Sequence, residues 1–282
     1  MRDGARMVMA MVVVMGGCVR TGGVGSYARA AGETAAEFPA LAQEMTASCV
    51  RLEGYREARE GKGWADRGDL EKRCADRERA VRRAVAVDRV LASYFAALGA
   101  LAEEKVVKYD ASIDDLADAL EDDAKLDAKK VRAVSDLAAF TASVATDGYR
   151  KLTLTKVIED QNANVAAVVD ALADIVGKDY TNILDLEAAG MDAFYRSALV
   201  EGAEREPLAA ILVRDRRDER AAQLEAKRAA LDAYVKALAT MKKGHQRLYD
   251  SRRDLDAKRL AGELADYAAQ LEKMISALRD AY

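Results

Sequence analysis

Apolar residues recur every three or four positions along almost the whole chain, the spacing that gives a helix one buried face. Phe38, Leu41, Met45 and Leu52 form one such stripe, and Leu70, Val81, Val85, Leu91, Phe95 and Leu98 form a second. The pattern predicts helices over 38–60, 69–104, 128–146, 207–248 and 255–282. A longer stretch over 149–199 carries a stripe with a break at Gln161–Asn164, where Asn162 would cap a new start. A short acidic helix begins at Ser112, with Asp115 three residues on as a variant capping box. Pro39 and Pro207 fall at helix starts, where proline is tolerated. Gly177 and Gly190 interrupt the long stripe and mark a bend or a close helix crossing. Thr153 and Thr155 hint at a strand, but it would have no partner, so the segment reads as helix.

These elements predict an all-α fold, an elongated antiparallel bundle of about six to eight helices, several of them long, over residues 34–282. Helices beyond 35 residues would span more than about 50 Å. Composition agrees. Alanine is about a fifth of the chain and only two prolines occur, so helix is favoured nearly throughout. Aromatics are 6%, too few for a typical β-sandwich. At 51% hydrophobic and 33% charged, the chain can bury a core.

Charge and histidine content narrow the chemistry. The formal net charge is −4, which disfavours nucleic acid as a partner, because phosphate binding needs a basic face. His245 is the single histidine, so sites needing two imidazoles are excluded. No phosphate loop, nucleotide fingerprint, nucleophile elbow or metal-spaced cluster is present, and no cofactor or metal is expected.

The amino terminus carries the most specific signal. Met1–Arg6 is charged, Met7–Met15 is an unbroken apolar run, and Gly16-Gly17-Cys18 follows. This is the build of a signal peptide over residues 1–17. The run spans roughly 14 Å as a helix, against a bilayer core of about 30 Å, so it is too short for a stable transmembrane helix. Met15-Gly16-Gly17-Cys18 resembles the lipobox of bacterial lipoproteins, with Met15 where that family usually has leucine. The resemblance implies cleavage between Gly17 and Cys18 and a diacylated Cys18. Val19, in place of aspartate, implies outer-membrane rather than inner-membrane residence, facing the periplasm. Two other readings stay open: a chance or buried cysteine, and a conventional signal peptide cut near Gly23 or Ala30 without a lipid. Residues 18–33, with several glycines and no stripe, read as a flexible tether reaching roughly 20 Å.

Export would place Cys49 and Cys74 in an oxidising compartment, where disulfides persist. The glycine-rich turn over 61–68 lies between them, so two helices folding back would bring them together. A bridge is expected, worth about 3 kcal/mol in the chain-entropy picture; two buried free thiols are the alternative. Trp64 sits in that turn, as a core cap or an exposed anchor for a partner.

The remaining candidates read blandly. Asp114, Asp115, Asp118, Glu121, Asp122 and Asp123 form a solvated acidic face, with a weak cation site as the minor reading. His245 lies on the stripe Leu238, Met241, Leu248 and reads as a packed residue with one hydrogen bond. Arg214, Arg216, Arg217 and Arg220 are interleaved with acids, and residues 51–83 hold eleven basic against eight acidic side chains. Alternating signs read as solvated helix faces. The expectation is a non-enzymatic, membrane-anchored interaction module with an envelope protein as partner, of scaffold, adaptor or inhibitor/immunity type. The alternative is a bundle that holds a small apolar or lipid ligand, for which a pocket lined by Tyr94, Phe95, Phe194 or Tyr195 would speak.

Overall fold

The computed structural model describes residues 21–61, 66–105, 128–147, 154–202 and 206–279. Cys18, Trp64 and the acidic run Asp114–Asp123 lie outside them. Every regular element described is helical: α1 (Gly22–Ala36), α2 (Phe38–Arg59), α3 (Arg67–Arg73), α4 (Ala75–Ala102), α5 (Ala128–Asp147), α6 (Leu154–Asp174), a π-helical turn (Ile175–Tyr180), α7 (Thr181–Gly202), α8 (Pro207–Asp250) and α9 (Lys258–Arg279). The all-α bundle is thus as the periodicity predicts.

Local chemistry sets the boundaries. Pro39 and Pro207 occupy the first turns of α2 and α8, where a missing N–H costs nothing. The Asp66 carboxylate accepts from the Gly68 N–H at 2.8 Å and caps α3. Just past α2, Gly61 takes a left-handed φ of 70°, a conformation glycine adopts without a Cβ penalty.

The long axis is set by α6, the π turn and α7, which run as one rod antiparallel to α8. Thr155 bonds the Arg252 carbonyl, Lys242 pairs with Asp170, Arg228 with Asp185 and Arg217 with Asp192. Numbers rise on one helix as they fall on the other. The 44 residues of α8 span about 66 Å. Around the carboxyl-terminal half of α8 stand α1, α4, α5, α6 and α9. Its amino-terminal half runs beside α7 and α2, with α3 beside α2, and the first turns of α4 come near it around Arg220. The result is a thick body continued by a thin arm. By length and composition α4 could cross a membrane, but α1, α5 and α6 cover its apolar face, as for any central helix of a bundle.

Three expectations are corrected. First, the tether: residues 22–33 are helix packed into the body, not flexible linker. Val24, Tyr27, Ala28, Ala30 and Ala31 are buried. The glycines serve close packing. A Cβ on Gly23 would stand 2.8 Å from the Ala261 Cα, and one on Gly99 of α4 would stand 3.5 Å from the Ala28 Cβ. Second, the helix expected over 69–104 is broken at Cys74, which ends α3 and precedes α4. Third, α6 runs unbroken through Gln161–Asn164. The irregularity falls at Gly177 instead, inside the π turn, where Val176 and Tyr180 are buried. Gly190 does mark a close crossing, since a Cβ there would meet Leu52 of α2 at 2.9 Å.

The centre of the body is aromatic. Tyr27 meets Phe95 edge-on at 5.8 Å, and Tyr94 packs against Phe140 at 5.6 Å and His245 at 5.5 Å. Gly244 makes room for this layer: a Cβ there would lie 2.3 Å from the Tyr27 ring.

Candidate interaction surface

Polar groups inside the bundle are used for architecture. His245 is 1% exposed. Its Nδ1 lies 2.9 Å from the Asn162 Oδ1 and its Nε2 lies 2.6 Å from the Tyr94 hydroxyl. Two hydrogen bonds, not one, hold the ring. Nδ1–H donates to Asn162 and Nε2 accepts from Tyr94, which fixes a single neutral tautomer. Burial lowers its pKa to about 3, so it stays neutral at physiological pH. With both nitrogens engaged, it has no face left for a substrate.

Three buried acids were not singled out by sequence: Asp88, Glu187, and Glu57, which pairs with Arg73. Asp88 of α4 accepts from the Tyr234 hydroxyl at 2.8 Å. Burial pushes its carboxyl well above the usual range. Its signal was an acid set among Val87, Val90 and Leu91 on a buried stripe. Glu187 of α7 binds Ser48 and Arg51 of α2, Arg51 also binds Glu44, and Lys227 of α8 binds Glu44. This chain of charges ties α2, α7 and α8 together where the arm leaves the body. Nothing in local sequence marks it, because its members are 136 or more residues apart across the α2–α7 contact.

Cys49 and Cys74 stand at disulfide distance, with sulfurs 2.05 Å and Cα atoms 6.1 Å apart. The pair joins the middle of α2 to the junction of α3 and α4.

The outer surface offers two distinct features. The first is a groove of about 1010 Å³ between α2 and α4. Its floor is made by Pro39, Ala42, Ala47, Val50, Val81 and Val85. Its rim holds Arg51, Arg67, Arg82, Arg89 and Arg220 against Glu71 and Glu78. The second is the tip of the arm. Val200 (78% exposed), Leu208 (72%), Leu212 (63%) and Ile211 (54%) face solvent there, and no residue of α8 before Leu224 is buried. The adjacent arginine run is largely paired: Arg216 with Glu219, Arg217 with Asp192, and Arg220 with the Gln223 amide oxygen.

The aromatic residues proposed for a ligand pocket are packed instead. Tyr94 and Phe95 are fully buried, and Phe194 and Tyr195 lie against Tyr55 at 5.6 and 6.2 Å. Among the described residues, no three His, Cys, Asp or Glu side chains converge as metal ligands. In comparison with known proteins, no family profile matches this chain, nor does any curated protein or solved structure.

Proposed function

We propose that this protein is an adaptor of the bacterial envelope. It is acylated at Cys18, held at the outer membrane facing the periplasm, and binds a second envelope protein without catalysing a reaction. The observation that carries this reading is the exposed apolar cluster Val200, Leu208, Ile211 and Leu212 at the free end of the arm. Such a cluster exceeds the scattered single apolar residues of an ordinary surface and is suited to protein contact. Its place adds weight. Helix α1 begins at Gly22, four residues after Cys18, and packs into the body at the opposite end of α8 from the tip. An anchor at Cys18 would hold the body near the membrane and project the tip up to about 66 Å from it. The small-ligand alternative draws no support from the packed aromatic residues.

The test has two arms. Cells expressing the protein or Cys18→Ala are labelled with a fatty-acid analogue, and label is expected only with Cys18 present. A photo-crosslinking residue at Leu208 is expected to give one recurrent protein adduct, lost with Ile211→Asp and Leu212→Asp. Label on the Cys18→Ala protein would overturn the anchor, and an absence of adducts at the tip would overturn the adaptor.

A further inference from the structure

The groove between α2 and α4 has the shape of an empty seat in a helical bundle. We infer that it binds an acidic amphipathic helix of about three turns supplied by a partner protein. The inference rests on the adaptor reading only in taking the partner to be a protein.

The floor fits a helix. From Pro39 to Val50 it runs along α2 for about 17 Å, the length of three helical turns. Ala42, Ala47 and Ala86 are small, so a third helix can approach the α2–α4 ridge pair closely and supply the larger anchors itself. Pro39, Ala47, Val50, Val85 and Ala86 are half-buried, so their apolar surface stays wet until something covers it. This is the helix-in-groove mode, read by anchors at i, i+3, i+4 and i+7. An acyl chain is a poorer match, because small apolar ligands take sites that enclose most of their surface, and this groove is open along its length.

The rim sets the sign of the partner. Five arginines face two glutamates. Arg67 and Arg82 are engaged by Glu71 and Glu78, and Arg51 by Glu187 and Glu44. Arg89 and Arg220 form no ion pair among the described residues, and Arg220 donates only to the Gln223 side chain. The groove therefore presents uncompensated positive charge above an apolar floor, although the whole chain is net negative. Guanidinium groups recognise carboxylates with paired N–H donors. An acidic face flanking apolar anchors is complementary to it.

The test uses the purified full chain from Cys18→Ala and a synthetic helical peptide. The peptide has leucine at i, i+3, i+4, i+7 and i+11 and glutamate between. A counterpart carries lysine in place of glutamate. The acidic peptide is expected to bind, and the basic one is not. Arg89→Glu with Arg220→Glu should weaken binding at least about tenfold with unchanged circular dichroism. Val50→Asp should weaken it similarly, and Leu208→Ser at the tip should leave it unchanged. Four results would overturn the inference: equal binding of both peptides; no binding of the acidic one; capture of phosphatidylglycerol vesicles in its place; or self-association of the chain that blocks the groove. Any of these leaves the in-cell adducts at Leu208 intact, so the groove and the adaptor reading fail separately.

Discussion

One helix, α8, passes through two environments. In the body it presents Ala230, Leu231, Tyr234, Leu238, Met241 and Leu248 to a closed core. In the arm it buries nothing before Leu224. The body is held by apolar and aromatic layers with few polar insertions, among them His245 bonded to Asn162 and Tyr94 and Asp88 bonded to Tyr234. At the arm's root, the buried Glu187 with Ser48 and Arg51 of α2, and Glu44 of α2 with Lys227 of α8, take that place, with the Cys49–Cys74 strap alongside. Burial of apolar area is strong and non-directional, so the body can be rigid without charge pairing. A thin arm has too little interior for that. The difference separates a part built for stability from a part whose surface is free for contact.

The comparison breaks most visibly by emptying the body. Phe95→Ala removes a fully buried ring from the contact with Tyr27 and His245. It should cost about 3–5 kcal/mol in urea unfolding. Leu212→Ala in the arm should change stability by no more than about 0.5 kcal/mol. Comparable losses at the two positions would mean that the arm is packed against something.

Removing the strap comes next. Cys49→Ser with Cys74→Ser frees a loop with a sequence separation of 25. The loss should be about 3 kcal/mol. Hydrogen exchange should speed in α2 and α3 and change little in the Tyr94–His245 layer. Unfolding of the wild type under oxidising and reducing conditions gives the same comparison without mutation.

How much of this was legible depends on what each residue's neighbours do. The stripes of α2, α4 and α8 were readable because burial imposes a 3.6-residue period on one chain segment. The Cys49–Cys74 approach was readable because a single turn folds two adjacent helices back. Helix α1 was not, because Gly23 and Gly25 look the same in sequence whether they loosen a linker or admit a neighbouring backbone. Only Ala261 and Glu103, far along the chain, decide between the two. The groove was also hidden. Arg67, Arg82 and Arg220 read as solvated faces of separate segments, and only the tertiary fold sets them along one rim with Arg89.

Titration sharpens the body side. His245 falls from its ordinary 6.5 to about 3 on burial, so between those values the unfolded chain binds a proton that the folded one refuses. Stability should therefore fall as pH drops from 6.5 towards 3, by at most about 1.4 kcal/mol per pH unit. Asp88 acts in the opposite sense. Burial raises its pKa, so above the unfolded value near 3.9 the folded state keeps a proton that the unfolded chain loses, and its contribution falls as pH rises. Asp88→Asn keeps an acceptor for Tyr234 and removes that opposition. Its stability should climb more steeply between pH 4 and 6.5 than that of the wild type, as measured by urea midpoints at a series of pH values.

The smallest effect on stability is expected at the tip, and it is the most informative about function. Leu208→Ser, Ile211→Ser and Leu212→Ser together remove exposed apolar surface that the fold does not use. Urea midpoints should shift by no more than about 0.5 kcal/mol, and solubility should rise as the patch disappears. An exposed apolar patch that adds nothing to folding is accounted for if a second molecule covers it, so the same triple variant should lose its partner in cells. A large loss of stability would place these residues in a core. Unchanged partner capture would move the contact to another face of the molecule, with the arginine-rimmed groove of α2 and α4 next to be examined.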